Sequence, residues 1–174
     1  TTPTITISDP TTRSGNANAS VIVYGETSPS GGPALAKYVT KKVVLNSGFD
    51  SGDLNVYLSA YRPVNTDIHV YYKILNRNDT QTFESGNWQL MTKTNASDTL
   101  FSQIRSDVYE YTFAPGTGGT EQGYVSYTSS TGQIYTSFSQ FALKIILTST
   151  DSTYVPFITD MRAIALPENV TTTV

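Results

Sequence analysis

From Lys37 onward, apolar and polar residues alternate in one segment after another. Tyr38, Thr40, Val43 and Leu45 mark a first strand, stopped by Asn46-Ser47-Gly48. Leu54, Val56, Leu58 and Ala60 then alternate strictly with Asn55, Tyr57 and Ser59, and Arg62-Pro63 closes that run. Ile68, Val70, Tyr72 and Ile74 repeat the pattern against His69, Tyr71 and Lys73. Successive side chains of a strand point to opposite faces, so each run predicts one core face and one wet face. Trp88, Leu90 and Met91 follow the turn-rich stretch 76–86, and Tyr109, Tyr111 and Phe113 alternate again. Tyr124 to Tyr127 and the run Phe141, Leu143, Ile145, Leu147 come next. The last strand runs from Val155 through Leu166, with Pro156 at its entry, where a missing N–H is tolerated. Within the polar stretch 92–108, Leu100, Phe101 and Ile104 predict at most a short helical turn.

No segment holds a helical period long enough to carry weight. About eight short strands, each bounded by Gly, Pro, Asn or Ser, predict an all-β fold: an antiparallel β-sandwich, jelly-roll-like in kind. Residues 1–36 read differently. They are rich in Thr, Pro, Asn and Gly, with strand-like pieces at Ile5/Ile7 and Val21–Tyr24 and a break at SPSGGP (28–33). That punctuation predicts an extended N-terminal arm that pairs with something else, or a flexible linker. The expected organisation is an arm over 1–36, a sandwich over 37–167 and a tail over 168–174.

A chain of 174 residues suits one domain with a continuous core. Charged residues make up only 14%, and Thr, Ser and Asn fill the gap, as in proteins that pack against neighbours. A net charge of −3 with scattered Lys and Arg gives no nucleic-acid footprint. No apolar run approaches the roughly 20 residues of a membrane helix, so neither nucleic acid nor membrane is an expected partner. Thr1 is not an initiator Met, which predicts a processed chain or a piece of something longer.

The inventory for catalysis is thin. There is no Cys, and His69 is the single histidine, expected as a solvated residue on an outer strand face. Asp50 and Asp53 in GFDSGD are the nearest carboxylate cluster, open to reading as a Ca²⁺ loop or as ordinary turn formers. The Gly-rich segments at 31–32 and 116–119 lack the Lys-Ser/Thr of a phosphate loop. The sequons at Asn18, Asn78, Asn95 and Asn169 arise readily in such a composition. No catalytic residue, metal or cofactor is therefore expected. The aromatics weigh more: Tyr57 and Tyr71 fall on outward faces of two consecutive strands, expected to be adjacent, with Tyr61 and Trp88 near in sequence. Three readings stay open for them, namely sheet-stabilising pairs, a protein interface, or a platform for sugar rings.

The stretch KKVVLNSGFDSGDLNVYLSAYRPVNTDIHVYYKIL (41–75) and the closing QFALKIILTSTDSTYVPFITDMRAIAL (140–166) resemble a β-sandwich domain of tailed-bacteriophage virion proteins. The likeness is to tail and baseplate-associated proteins of large myoviruses, cyanophage-like ones in particular. It rests on the turn at Gly48-Phe49-Asp50, the Ala60-Tyr61-Arg62-Pro63 corner, VYYKIL, Trp88 after a polar loop, and VPFITDMRAIAL. It covers roughly residues 37–166 and brings no catalytic signature with it.

The resemblance implies a non-enzymatic structural subunit, located in the virion and made in the bacterial host cytoplasm. It would contact other virion proteins and form a homo-oligomer in the assembled particle; baseplate, fibre, neck or capsid decoration all fit. The alternatives are a carbohydrate-binding module reading host glycans through Tyr57, Tyr61, Tyr71 and Trp88, and a sandwich glycosidase or lyase, which two facing carboxylates in a cleft would support.

Overall fold

The computed structural model describes residues 25–94, 100–116 and 123–167. Its strands are β1 (Lys37–Val39), β2 (Val43–Val44), β3 (Ser51–Tyr61), β4 (Thr66–Leu75), β5 (Gln89–Leu90), β6 (Thr92–Lys93), β7 (Tyr109–Ala114), β8 (Tyr127–Thr128), β9 (Ile134–Tyr135), β10 (Gln140–Ser149) and β11 (Phe157–Pro167). A 3-10 turn, Phe83–Ser85, lies between β4 and β5. The first sheet runs β1-β10-β4-β5, with β2 also paired to β10. The second runs β11-β3-β7-β6, and β8 and β9 form a separate hairpin. All pairings are antiparallel. This is the all-β sandwich that the alternation predicts.

The period-two pattern fixes which side chains meet. Leu54, Val56, Leu58 and Ala60 of β3 face Ile68, Val70, Tyr72 and Ile74 of β4, with Tyr111, Phe113, Leu143 and Ile145 completing the core. Phe138 and Phe141 meet edge to face at 5.7 Å. Each large side chain buried this way contributes about 1.5–3 kcal/mol.

Consecutive β3 and β4 lie in different sheets, and the Arg62-Pro63 corner carries the chain between them. Asn65 turns it with φ 65°, and the Thr66 hydroxyl donates to Pro63 O at 2.7 Å. The buried Arg62 guanidinium lies 4.5 Å from the Phe101 ring and 3.1 Å from Asp67. Asp67 also accepts from Lys93, and His69 Nε2 stands 3.8 Å away. Burial pushes the Asp67 carboxyl up, but the Lys93 ammonium, with smaller help from His69, holds it below the usual range.

One side of the sandwich is closed by the chain itself. β5 ends the first sheet and β6 ends the second, and buried Met91 links them, its N–H donating to Val70 O at 2.8 Å. The other side, where β1/β2 and β11 end the two sheets, has no such crossover among the described residues.

Several expectations need correcting. The 38–45 run splits in two, because Thr40 takes Leu143 N–H on its side-chain oxygen and so leaves the regular ladder. Residues 124–127 give only a bridge at Tyr124 and the start of β8. Around Ile104 the chain makes a turn, not a helix: Asp107 N–H donates to Ile104 O, and its carboxylate accepts from Gln103 and Ile104. His69 is not a solvated residue, since its side chain is only 15% exposed and burial pulls its pKa down, against the opposing pull of Asp67.

The arm also changes. Of the expected arm, residues 25–36 are described, and 25–34 do not extend away but pack on the outer face of the first sheet. The strand-like pieces at Ile5/Ile7 and Val21–Tyr24, the tail 168–174 and the sequons at Asn18, Asn95 and Asn169 lie outside the described residues. Among the described residues no helix is long and apolar enough to cross a membrane.

Candidate functional site

Residues 25–34 form a strap across β4 and β10. Its turns close through Ser28 N–H to Gly25 O at 3.1 Å and Gly31 N–H to Ser28 O at 2.9 Å. Trp88 N–H ties it down by donating to Thr27 O at 2.9 Å. The strap inserts Glu26, whose carboxylate accepts from Ala34 N–H at 2.7 Å and from Lys144 Nζ at 3.0 Å. Lys144 donates as well to the Glu26 backbone oxygen. Both side chains are 0% exposed. A Cβ on Gly32 would lie 2.1 Å from this carboxyl group, so glycine is required for the close approach.

Beneath the strap, Lys144 Nζ sits 4.7 Å from the Tyr71 ring centre and 5.2 Å from that of Trp88. Lys73 Nζ donates to Pro29 O at 3.1 Å and Glu84 O at 3.2 Å, 4.9 Å from the Trp88 ring. Leu75, Phe83, Ala142 and Ile146 fill in the apolar remainder. A buried charge is costly unless it is compensated; Glu26 and Lys144 are paired and hydrogen-bonded, and Lys73 donates to two backbone carbonyls. Burial pushes the Glu26 carboxyl up, but the Ala34 N–H and the Lys144 ammonium together hold it below its ordinary value. Burial pulls Lys144 down, with Glu26 opposing. The Tyr71 hydroxyl is buried without a hydrogen-bond partner among the described residues, and burial raises its pKa.

The four aromatic positions are therefore not one platform. Tyr71 is 0% exposed and Trp88 7%, both under the strap, so neither can stack on a sugar or a neighbouring protein. Tyr57 and Tyr61 lie on the outer face of the other sheet, and the expectation that Tyr57 and Tyr71 occupy adjacent strands fails because β3 and β4 belong to different sheets. The Tyr57 ring lies 5.2 Å from the Arg162 guanidinium, which also pairs with Glu110. Tyr61 stacks on Phe157 at 5.1 Å. These are cross-strand pairs, and their partners take up part of each ring.

The candidate carboxylates do not converge either. Asp50 pairs with Arg77 at 2.9 Å, and Asp53 accepts from Asn55 at 3.0 Å. Burial raises the Asp53 pKa, and Gly123, at φ 102°, presses against its carboxyl group. Among the described residues no group of three His, Asp or Glu side chains is placed to hold a metal ion.

What the sequence reading did not single out is the open side. β11 is eleven residues long and hydrogen-bonds β3 along one edge, with no strand on its other edge among the described residues. Its inward residues Ile158, Met161 and Ala165 are only partly buried, and Ile164 and Leu166 are 41% and 46% exposed. Facing it at the edge of the first sheet, Tyr38, Val39, Val43 and Val44 are all exposed. Exposed apolar residues beside an unpaired strand edge are the usual marks of a surface that another chain covers. The signal available in the sequence was the crowding of apolar residues in VPFITDMRAIAL beyond strict alternation. No family model, no curated protein and no solved structure matches the chain.

Proposed function

We propose that this chain is a non-enzymatic structural module that joins neighbouring subunits, and that it serves in the tail or baseplate of a tailed-bacteriophage particle. The particle comes from the resemblance of residues 37–166 to such virion domains. The joining rests on one observation: among the described residues, both sheets end, on the side away from β5 and β6, in strands with no further strand on their outer edges and with exposed apolar side chains. Backbone groups along β11 offer register, and Tyr38, Val43, Val44, Ile164 and Leu166 offer contact area. Residues 25–34 are not proposed as the joining device, since they lie against the chain's own sheet.

Sedimentation velocity of the 174-residue chain over a concentration series tests this reading. The expected result is reversible association that Val44→Asp and Ile164→Asp each weaken by about tenfold, without a change in thermal midpoint beyond that of an exposed substitution. A monomer at every concentration, or association indifferent to both substitutions, would overturn it.

A further inference from the structure

A cleft of about 480 Å³ opens between residues 81–89 and residues 126–130, at the edge of the first sheet where β5 stops short. Its volume is within the range of small-molecule sites, roughly 300–1,000 Å³. Its chemistry is uniform: Gln81, Ser85, Asn87, Gln89, Ser126, Thr128, Ser129 and Ser130 supply amides and hydroxyls, Ile74 and Tyr127 supply apolar surface, and no charged residue lines it. Part of this inventory is already used. Gln89 Oε1 accepts from the Tyr72 hydroxyl at 3.0 Å, Ser85 donates to Thr82 O at 2.8 Å, and Ser129 pairs with Thr131. The side chains of Gln81, Asn87, Ser126, Thr128 and Ser130 make no hydrogen bond to another described residue.

The wall that carries the hydroxyls is held firmly. The Tyr127 hydroxyl accepts from Asn76 N–H at 2.9 Å and donates to Asp79 at 2.8 Å, and its ring stacks on Tyr135 at 5.5 Å. The β8–β9 hairpin is thus anchored to the loop after β4, and Ser126, Thr128 and Ser130 project from an ordered support.

From this convergence we infer that the cleft binds a neutral saccharide. Five unspent side chains that can each donate and accept match the vicinal hydroxyls of a sugar, and Tyr127 offers an apolar wall for a ring face. The absence of charge from the lining disfavours uronic or sialic acids and phosphorylated ligands. An extended peptide would ask for alternate apolar pockets, which this lining does not supply. The site is separate from the open side, from the Tyr57/Tyr61 face and from the covered Tyr71/Trp88 face, so the inference stands or falls independently of the joining role.

The test is ¹H–¹⁵N correlation spectroscopy of the 174-residue chain. It is titrated to about 10 mM, in the range of weak single-site binding, with neutral oligosaccharides ending in glucose, galactose, mannose, rhamnose, N-acetylglucosamine or N-acetylgalactosamine. A sialylated trisaccharide and a neutral blocked tripeptide run beside them. The expected result is saturable shifts at Asn87, Ser126, Thr128 and Ser130 with at least one neutral sugar, and weaker or no shifts with the sialylated one. Asn87→Ala and Thr128→Ala, both at surface positions, should each lower that affinity by about fivefold or more with the rest of the spectrum unchanged. No saturable shift with any neutral sugar, shifts confined to another surface, or tighter binding of the tripeptide would overturn the assignment.

Discussion

The outer faces of the two sheets start from the same kind of sequence and end in opposite conditions. On the first sheet, Tyr71, Lys73 and Lys144 lie under the strap of residues 25–34, where the Glu26–Lys144 pair is shut away from water. On the second, Tyr57, Tyr61 and Arg162 occupy the corresponding outward positions with no strap over them among the described residues, and the Arg162–Glu110 pair is about half exposed. An aromatic beside a cation means different things in the two places. Under the strap, the pair is an obligatory part of the fold, because a buried charge stripped of its partner is costly. In water, the same pairing is worth a few tenths to about 1 kcal/mol.

That contrast can be broken by substitution. The largest effect is expected from Glu26→Ala, which leaves Lys144 buried and unpaired; urea denaturation should show a loss of about 3–5 kcal/mol. Combining Glu26→Gln with Lys144→Met should recover much of that loss, since an apolar replacement of a buried pair is often tolerated. Tyr71→Ala opens a cavity between sheet and strap and should cost about 3–5 kcal/mol on the same assay. A Tyr71 variant as mild as an exposed one would show that the strap lifts readily.

Acid should separate the faces next. The Glu26 and Asp67 carboxyls both lie below their ordinary values in the folded chain. A lowered carboxylate pKa contributes stability that is fully present above the unfolded value and is lost as pH falls through the folded value. Stability measured from neutrality downward should therefore fall off below the usual carboxylate range, and Glu26→Gln and Asp67→Asn should each flatten that fall. At the small end, Tyr57→Ala and Arg162→Ala should each change stability by about 1 kcal/mol or less. A cost for Tyr57→Ala equal to that for Tyr71→Ala would erase the distinction between the faces.

The strand pattern was readable because β3 alternates cleanly, and its outward Asn55, Tyr57 and Ser59 announce a wet face. The same reasoning misplaced Tyr71, yet a clue was present. In β10 the outward positions beside Lys144 are Ala142 and Ile146, and in β4 Tyr71 and Leu75 are outward, so both strands are apolar on both sides, as strands buried on both faces are. The covering segment was not readable, because Glu26 and Lys144 are 118 residues apart and strand periodicity carries no information on such a pairing. The sheet assignment of β3 and β4 was hidden for a related reason: a corner such as Arg62–Asn65 and a tight hairpin leave similar turn residues, and what decides is the packing of Arg62 on Phe101 and Asp67. The polar cleft was invisible as well, since Asn87 and Thr128 are ordinary loop and strand residues until the hairpin brings them together.

The joining role is tested most directly by hydrogen–deuterium exchange along β11 and residues 37–45, compared at low and high protein concentration. If the open side joins subunits, amides of Asp160–Leu166 and of Tyr38–Val44 gain protection as concentration rises, while those of β3 and β4 do not change. Exchange along β11 that stays fast and indifferent to concentration would contradict it.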